Sequence, residues 1–386
     1  MIKNFNINKF YLVIVLFVVL PHCSLICQSC NVDSNNVIET LNNPNLIGVS
    51  NDVMSSEMPK IDAVDTIKDT TANRYIPLSE FMYANSRRYS MSGELPLKVT
   101  EIRPATTIAF GAGFAGIFVA QHIFQLRTLW DTLGPFKFAE DIKQDLWADK
   151  TGHFFDSYIA SYLLRDMLIE CGFNNDASTV WGGVLGLTYL NYIEVLDGFG
   201  KNWGFSPSDF YANVAGSLYF VGQHYFPYLQ NFTPKFTYIP AKWHGEEPRM
   251  PHAVFIDDYS SHTTWLSVNL YNILPESVKD YWEPWLQISF GYAARNLFAY
   301  DAYQDTLLYK EELEKYKKIT EVKRYEAWGS PRFIIALDYD LVKIFPEKGT
   351  FWNWLAQTLN HFKLPAPAVE FSYRKPRYYL VYPFSF

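Results

Sequence analysis

The sequence predicts an α+β protein, a mainly α-helical bundle followed by a small C-terminal antiparallel sheet. Between about residues 100 and 230, apolar stretches carry single polar residues at helical spacing. After about Asn231 this gives way to a proline-rich loop and then to a period of two. Phe333, Ile335, Leu337, Tyr339 and Leu341 alternate with other residues, and Val369, Phe371 and Tyr373 repeat the pattern. With 386 residues the chain is long enough to bury a substantial core.

Residues 1–30 have the form of a secretory signal peptide, since Lys3 and Lys9 precede an apolar run, Phe10 to Leu20, that is too short to span a bilayer. Cys23, Cys27 and Cys30 follow, and Cys30, preceded by the small Ser29, is the candidate for lipid attachment. These readings place the protein outside the cytoplasm, in the periplasm or at the outer membrane, with membrane or envelope components as partners. Cys171 is the remaining cysteine of four, so the body of the chain has no disulfide framework and no cysteine zinc site. Gly172 follows it at a position where helices commonly end, which suggests a small buried apolar side chain. The formal charge of -7 argues against nucleic acid as a partner.

Residues 31–75 are rich in Asn, Asp, Ser and Thr without a sustained period and read as a flexible tether. The segment from Ala105 to Leu126 contains no Asp, Glu, Lys or Arg and is expected to be a buried or membrane-embedded packing helix. Its Gly111-x-Gly113-x-x-Gly116 has the spacing of a dinucleotide fingerprint but no preceding strand or later acidic residue to form a βαβ unit. Gly111 with Ala115, and Ala112 with Gly116, instead suggest a helix face that another helix approaches closely.

A second helix is expected over about Lys143 to Cys171, with Asp145, Asp149, His153 and Asp156 on one face. Asn174-Asn175-Asp176 offers a cap for a third helix of about Thr179 to Leu196, in which Gly182 and Gly186 permit close packing. Ser206, Pro207 and Asp209 form the N-terminal signature of a fourth. The apolar part of the third helix is short for a span, so a compact bundle is expected. Residues 231–386 form a loop-rich segment with strands, interrupted at Tyr309 to Trp328 by a Lys/Glu-rich stretch that reads as solvated. Tyr378, Leu380, Tyr382, Phe384 and Phe386 alternate like the last strand of an outer-membrane barrel. Too few strands are visible to close one, and an open sheet edge cannot face lipid, so a small sheet packed on the bundle is expected.

The candidate polar cluster is Asp149, Lys150, His153, Glu194, Asp197, Asp209 and Asn213. Polar groups inside apolar helices need partners, because burying one unpaired costs roughly 2–7 kcal/mol. The reading this favours is a structural or interaction protein of the envelope, in which His153 pairs with Asp149, Asp209 caps its helix, and Asn213 meets Glu194. The alternative is a divalent-metal site of Asp149, His153, Glu194 and Asp209 that activates water for hydrolysis, with Lys150 binding an anion. A lipid- or glycan-binding module is a third reading, which a large pocket would favour. No nucleophile elbow and no P-loop occurs.

Asp149-Lys150-x-x-His153-Phe154, the segment Glu194 to Gly198, and Asp209-x-x-x-Asn213-x-x-Gly216 resemble the YfiM-type predicted periplasmic lipoproteins, a family of unknown function. Trp265-Leu266-Ser267, Phe290-Gly291-Tyr292, Leu337-Asp338-Tyr339-Asp340-Leu341 and Leu364-Pro365-Ala366-Pro367-Ala368 resemble its longer form. The helical motifs alone are also similar to VanZ-like membrane proteins. The resemblance implies an envelope location and supplies no chemistry.

Overall fold

In the computed structural model the chain divides into two units, Met1–Ala72 and Asn73–Phe386. The described residues are 74–142, 144–201, 203–244, 255–256, 258–298, 328–345, 349–372 and 375–384, all in the second unit. The leader with Cys30, the tether up to residue 73, the charged stretch of 309–327, Tyr373 and Phe386 lie outside them.

A short hairpin, β1 (Met82–Tyr83) and β2 (Ser86–Arg87), precedes four long helices: α1 (Pro104–Thr128), α2 (Ala148–Glu170), α3 (Asn175–Asp197) and α4 (Pro207–Tyr225). Strands β3 (Phe232–Tyr238), β4 (His262–Val268), β5 (Leu286–Phe298), β6 (Trp328–Tyr339), β7 (Ala368–Phe371) and β8 (Arg377–Tyr379) follow. They form one antiparallel sheet in sequence order. Short helices α5 (Leu270–Ile273), α6 (Glu276–Lys279), α7 (Leu341–Ile344) and α8 (Thr350–Leu359) lie between strands. The fold class is α+β.

Helix α2 is central, packing on α3, on α4 and on the sheet. Its ring at Phe155 stacks on Phe236 of β3 at 5.3 Å between centroids. Small residues let the helix backbones meet: a Cβ at Gly182 or Gly186 would stand 2.7 Å from the backbone nitrogen of Arg165 or Ser161, and one at Gly216 would overlap the Phe154 carbonyl oxygen. The side chains α2 buries are largely polar. Arg165 donates to Asp166 (2.6 Å) and to Asn175 Oδ1 (3.0 Å), and Trp354 of α8 donates to Asp166 Oδ2 (2.8 Å).

The sheet is curled. Lys235 Nζ on β3 lies 2.9 Å from Asp338 Oδ2 on β6, although β4 and β5 intervene in the strand order. The register aligns Lys235, Trp265, Gly291, Ile334 and Glu370 across one face. At Gly291 a Cβ would stand 2.5 Å from the Trp265 ring, so the indole takes the space that a side chain would need. On the same face Ser289 Oγ donates to Asp338 Oδ2 at 2.8 Å. The opposite face carries Leu266, Phe290, Phe333 and Ile335, all exposed. The edge at β3 is partly covered, since Phe236 N donates to His361 O and Lys363 N to Phe236 O, both at 3.0 Å.

Several expectations need correction. Helix α2 begins at Ala148 rather than Lys143, because Asp145, Leu146 and Trp147 all have positive φ (52°, 49° and 68°), which no right-handed helix accommodates. Asp145 therefore leaves the face it was expected to share, and Asp156 turns to the exterior. Helix α1 is not a buried packing helix, since Gln125 is its one buried residue. The added Cβ at Gly111, Gly113 or Gly116 would meet nothing within 4 Å, and all three sit inside one continuous helix rather than a strand–turn–helix. Leu341 belongs to α7, not to β6. The final alternating segment is a strand only over Arg377–Tyr379; Tyr378 within it and Leu380 just beyond are exposed, whereas Tyr382 is buried. Pro383 has no N–H to continue a ladder. Cys171 is buried at the end of α2, and Gly172 follows it at φ +90° as a helix terminator.

The glycines give a paired prediction. Gly186→Ala should destabilise the protein by about 1–3 kcal/mol through overpacking, whereas Gly111→Ala should leave stability unchanged or raise it by up to about 1 kcal/mol. Chemical unfolding of both variants checks this, and equal costs would contradict the close approach of α3 to α2.

Candidate polar and metal centre

The cluster assembles where the first turns of α2 and α4 meet the end of α3. Ser206 caps α4 by accepting from Asp209 N at 3.3 Å, and Pro207 opens its first turn. Asn174 caps α3 in the same way, accepting from Ala177 N at 2.8 Å. Asp209 is thereby fixed opposite Asp149 and His153, which are one turn apart on α2.

Lys150 Nζ, almost fully buried, lies 2.5 Å from each of three carboxylates: Asp141 Oδ1, Asp149 Oδ2 and Asp209 Oδ1. The first two accept hydrogen bonds from it. The Asp209 contact is close but outside hydrogen-bond alignment, so that oxygen has no hydrogen-bond partner. Asp141 also accepts from Ser206 Oγ at 2.6 Å, which ties the loop before α2 to the cap of α4.

Around His153 Nε2 three more contacts converge: Asp149 Oδ1 at 3.3 Å, Glu194 Oε1 at 3.6 Å and Asp209 Oδ1 at 3.8 Å. All three oxygens are buried and accept no hydrogen bond. The other ring nitrogen, Nδ1, faces Asn213 Oδ1 at 3.3 Å, while Asn213 Nδ2 donates to Asn191 Oδ1 at 3.3 Å. An amide oxygen only accepts, so Nδ1 carries a hydrogen; the imidazolium that the surrounding carboxylates favour also aims Nε2–H at them, whereas the neutral ring presents its Nε2 lone pair.

The electrostatics follow from this crowding. Burial opposes charge on both Asp149 and His153. Even so, Lys150 and His153 hold the Asp149 carboxyl well below its ordinary range, and Asp149 and Asp209 hold the His153 imidazole well above its own. For Asp209 burial wins, reinforced by the Asp149 charge, and its carboxyl is pushed up. The region thus collects more acidic groups than Lys150 and His153 neutralise, and protons make up the balance.

Of the residues anticipated, Asp149, Lys150, His153, Glu194, Asp209 and Asn213 are brought together. Asp197 makes its hydrogen bond outside the cluster, accepting from Trp130 Nε1 at 2.5 Å. Glu194 does not meet Asn213, and Asp209 uses its carboxylate on Lys150 rather than on its own helix. Asp141 and Asn191 were not anticipated. Asp141 lies in a loop without periodicity, and only the i, i+3 spacing of Asn191 and Glu194 on α3 could have drawn notice. Asp149, His153 and Asp209 each offer a ligand atom, and these atoms all lie within 4.8 Å of one another. A cavity of about 460 Å³ lies two to three turns further along α2, lined by Arg88, Tyr158, Tyr162, Arg165 and Gln223 among others, and shares no residue with the cluster.

No curated protein and no solved structure matches the chain. Residues 137–221, which span Asp141 and every anticipated cluster residue but exclude the sheet, match the model of a family described as predicted periplasmic lipoprotein (DUF2279), which supports an exported, periplasmic location.

Proposed function

We propose that this envelope protein binds a divalent metal ion of the manganese-to-zinc range between Asp149, His153, Glu194 and Asp209. The observation that carries the reading is the convergence on His153 Nε2 of three buried carboxylate oxygens, of which Asp209 Oδ1 also faces the Lys150 ammonium while Asp149 Oδ1 and Glu194 Oε1 accept no hydrogen bond. Leaving a buried polar atom unpaired costs about 1–3 kcal/mol, and such atoms call for an explanation such as an ion. One imidazole with several carboxylates suits an ion of this hardness. Asn213 would act as the outer partner that holds the ring orientation, as such partners do for metal-bound histidines.

A second reading has its own support. Lys150 already compensates three carboxylates, so the network can hold itself as a purely structural element of an interaction protein. The 460 Å³ cavity, with two arginines in its wall, is the feature that supports a lipid- or glycan-binding role.

Elemental analysis of the purified mature protein beside His153→Ala separates the first two readings. Near-stoichiometric metal in the parent and its loss in the variant is the expected result. Metal-free protein in both, with the variant destabilised by about 1–3 kcal/mol, would leave the structural network.

Metal affinity should also depend on pH with a defined sign. His153 and Asp209 both hold their protons above their ordinary ranges, so an ion must displace protons to bind. Affinity should rise as pH rises through the elevated His153 titration. Calorimetry in buffers of different ionisation enthalpy should register proton release, and a pH-independent affinity would contradict ligation by His153.

A further inference from the structure

Parts of the folded unit bury polar side chains and turn apolar ones outward. Helix α1 is 25 residues long, and no residue of its most apolar 18-residue window is buried. Ile108, Val119, Ile123 and Leu126 stand exposed along it. The chain places no Asp, Glu, Lys or Arg between Ala177 and Ile193 on α3, or between Phe210 and Gln223 on α4. On α3, Val180, Trp181, Val184 and Leu185 point outward, whereas Ser178, Thr179, Gly182 and Gly186 point inward. In the sheet, Ser267, Ser289 and Asp338 are buried beside Trp265 and Ile334 on one face, while Phe290, Phe333 and Ile335 are exposed on the other.

We infer that α1 spans a lipid bilayer of the envelope and that the outward face of α3 beside it contacts the hydrocarbon. Three observations favour lipid over other occupants. At 1.5 Å per residue α1 is about 37 Å long, enough to cross a hydrocarbon core of roughly 30 Å. The core helix of a soluble protein would pass the same length test but would be covered, and α1 is not. Finally, α2 meets α3 through small residues and buried polar side chains while the bulky apolar side chains face out, which is how helices pack when their surroundings are already apolar.

Contacts between the two helices set the level of the polar cluster. Phe114 packs on Tyr189 and Phe118 on Tyr192, with centroids 6.0 and 4.7 Å apart, and Tyr192 Oη lies 2.7 Å from His122 Nδ1. The helices therefore run in the same direction. Glu194 and Asp197 come level with the last turn of α1 and Trp130, which places the cluster at the boundary between hydrocarbon and water.

The test uses the full chain reconstituted in vesicles of phosphatidylethanolamine and phosphatidylglycerol. Val119→Cys and Val184→Cys should react with a membrane-impermeant maleimide at least tenfold more slowly than Tyr281→Cys, whose parent side chain is 88% exposed. Equal labelling at the three positions would overturn the inference. So would a detergent-free, monodisperse dimer in which Val119→Cys and Val184→Cys remain protected, because a second copy would then cover the face. To separate embedding from a lipid anchor, Cys30→Ser should still float with the vesicles after an alkaline carbonate wash. Its release would also overturn the inference.

Discussion

The ammonium of Lys150 is the interaction on which the helical half depends. It draws the loop carrying Asp141, the first turn of α2 and the first turn of α4 to one point, each carboxylate 2.5 Å away. Removing the lysine would leave three acidic groups facing one another, and breaking a buried pair by deleting one partner costs about 3–5 kcal/mol. A hydrophobic replacement of the whole set could match that stability, so the energy of the pairing does not explain its presence. What the pairing adds is position: with Lys150 engaged, Asp149 Oδ1 and Asp209 Oδ1 are held beside His153 Nε2.

That division of work between the two cations explains the orphaned oxygens. Lys150 takes Asp149 Oδ2, leaving Oδ1 of the same carboxylate for His153, and Glu194 Oε1 approaches from α3 without a hydrogen-bond donor of its own among the described residues. Asn213, itself held by Asn191, fixes the ring from behind. A network built only for packing would be expected to give Asp149 Oδ1 and Glu194 Oε1 donors of their own, since each unpaired oxygen subtracts from stability. A cation recovers that loss.

Legibility in the sequence followed the reach of local rules. The caps at Asn174 and Ser206 depend on neighbours three residues away and could be read directly. So could the period of two over Phe333 to Tyr339, because β6 exposes one face and buries the other. The start of α2 could not be read, because a left-handed run through Asp145, Leu146 and Trp147 has no signature in residue types that rarely adopt it. Asp141 escaped because its role comes from the fold bringing a loop to Lys150. For α1 the glycine spacing pointed to a close helix neighbour, and composition could not say whether an apolar helix meets protein or another apolar medium.

The buried polar side chains of the helices and the cluster are linked through the reference state. In water, a polar side chain released from the core finds solvent partners, so an internal hydrogen bond adds little. A helix released into hydrocarbon keeps its backbone bonds but offers its polar side chains few partners, so internal pairs, worth about 0.6–2 kcal/mol each, select one helix arrangement. Ser161, Arg165, Asn213 and Ser217 can then specify how α2, α3 and α4 pack where apolar contacts cannot. At the end of α1 this logic meets water. There the side chains of Asp141 and His153 are 27% and 17% exposed, while Asp149, Glu194 and Asp209 are 6% or less. The cluster is therefore open on its Asp141–His153 side and closed behind, which gives an ion a route in from the aqueous face and leaves the orphaned oxygens at the end of that route.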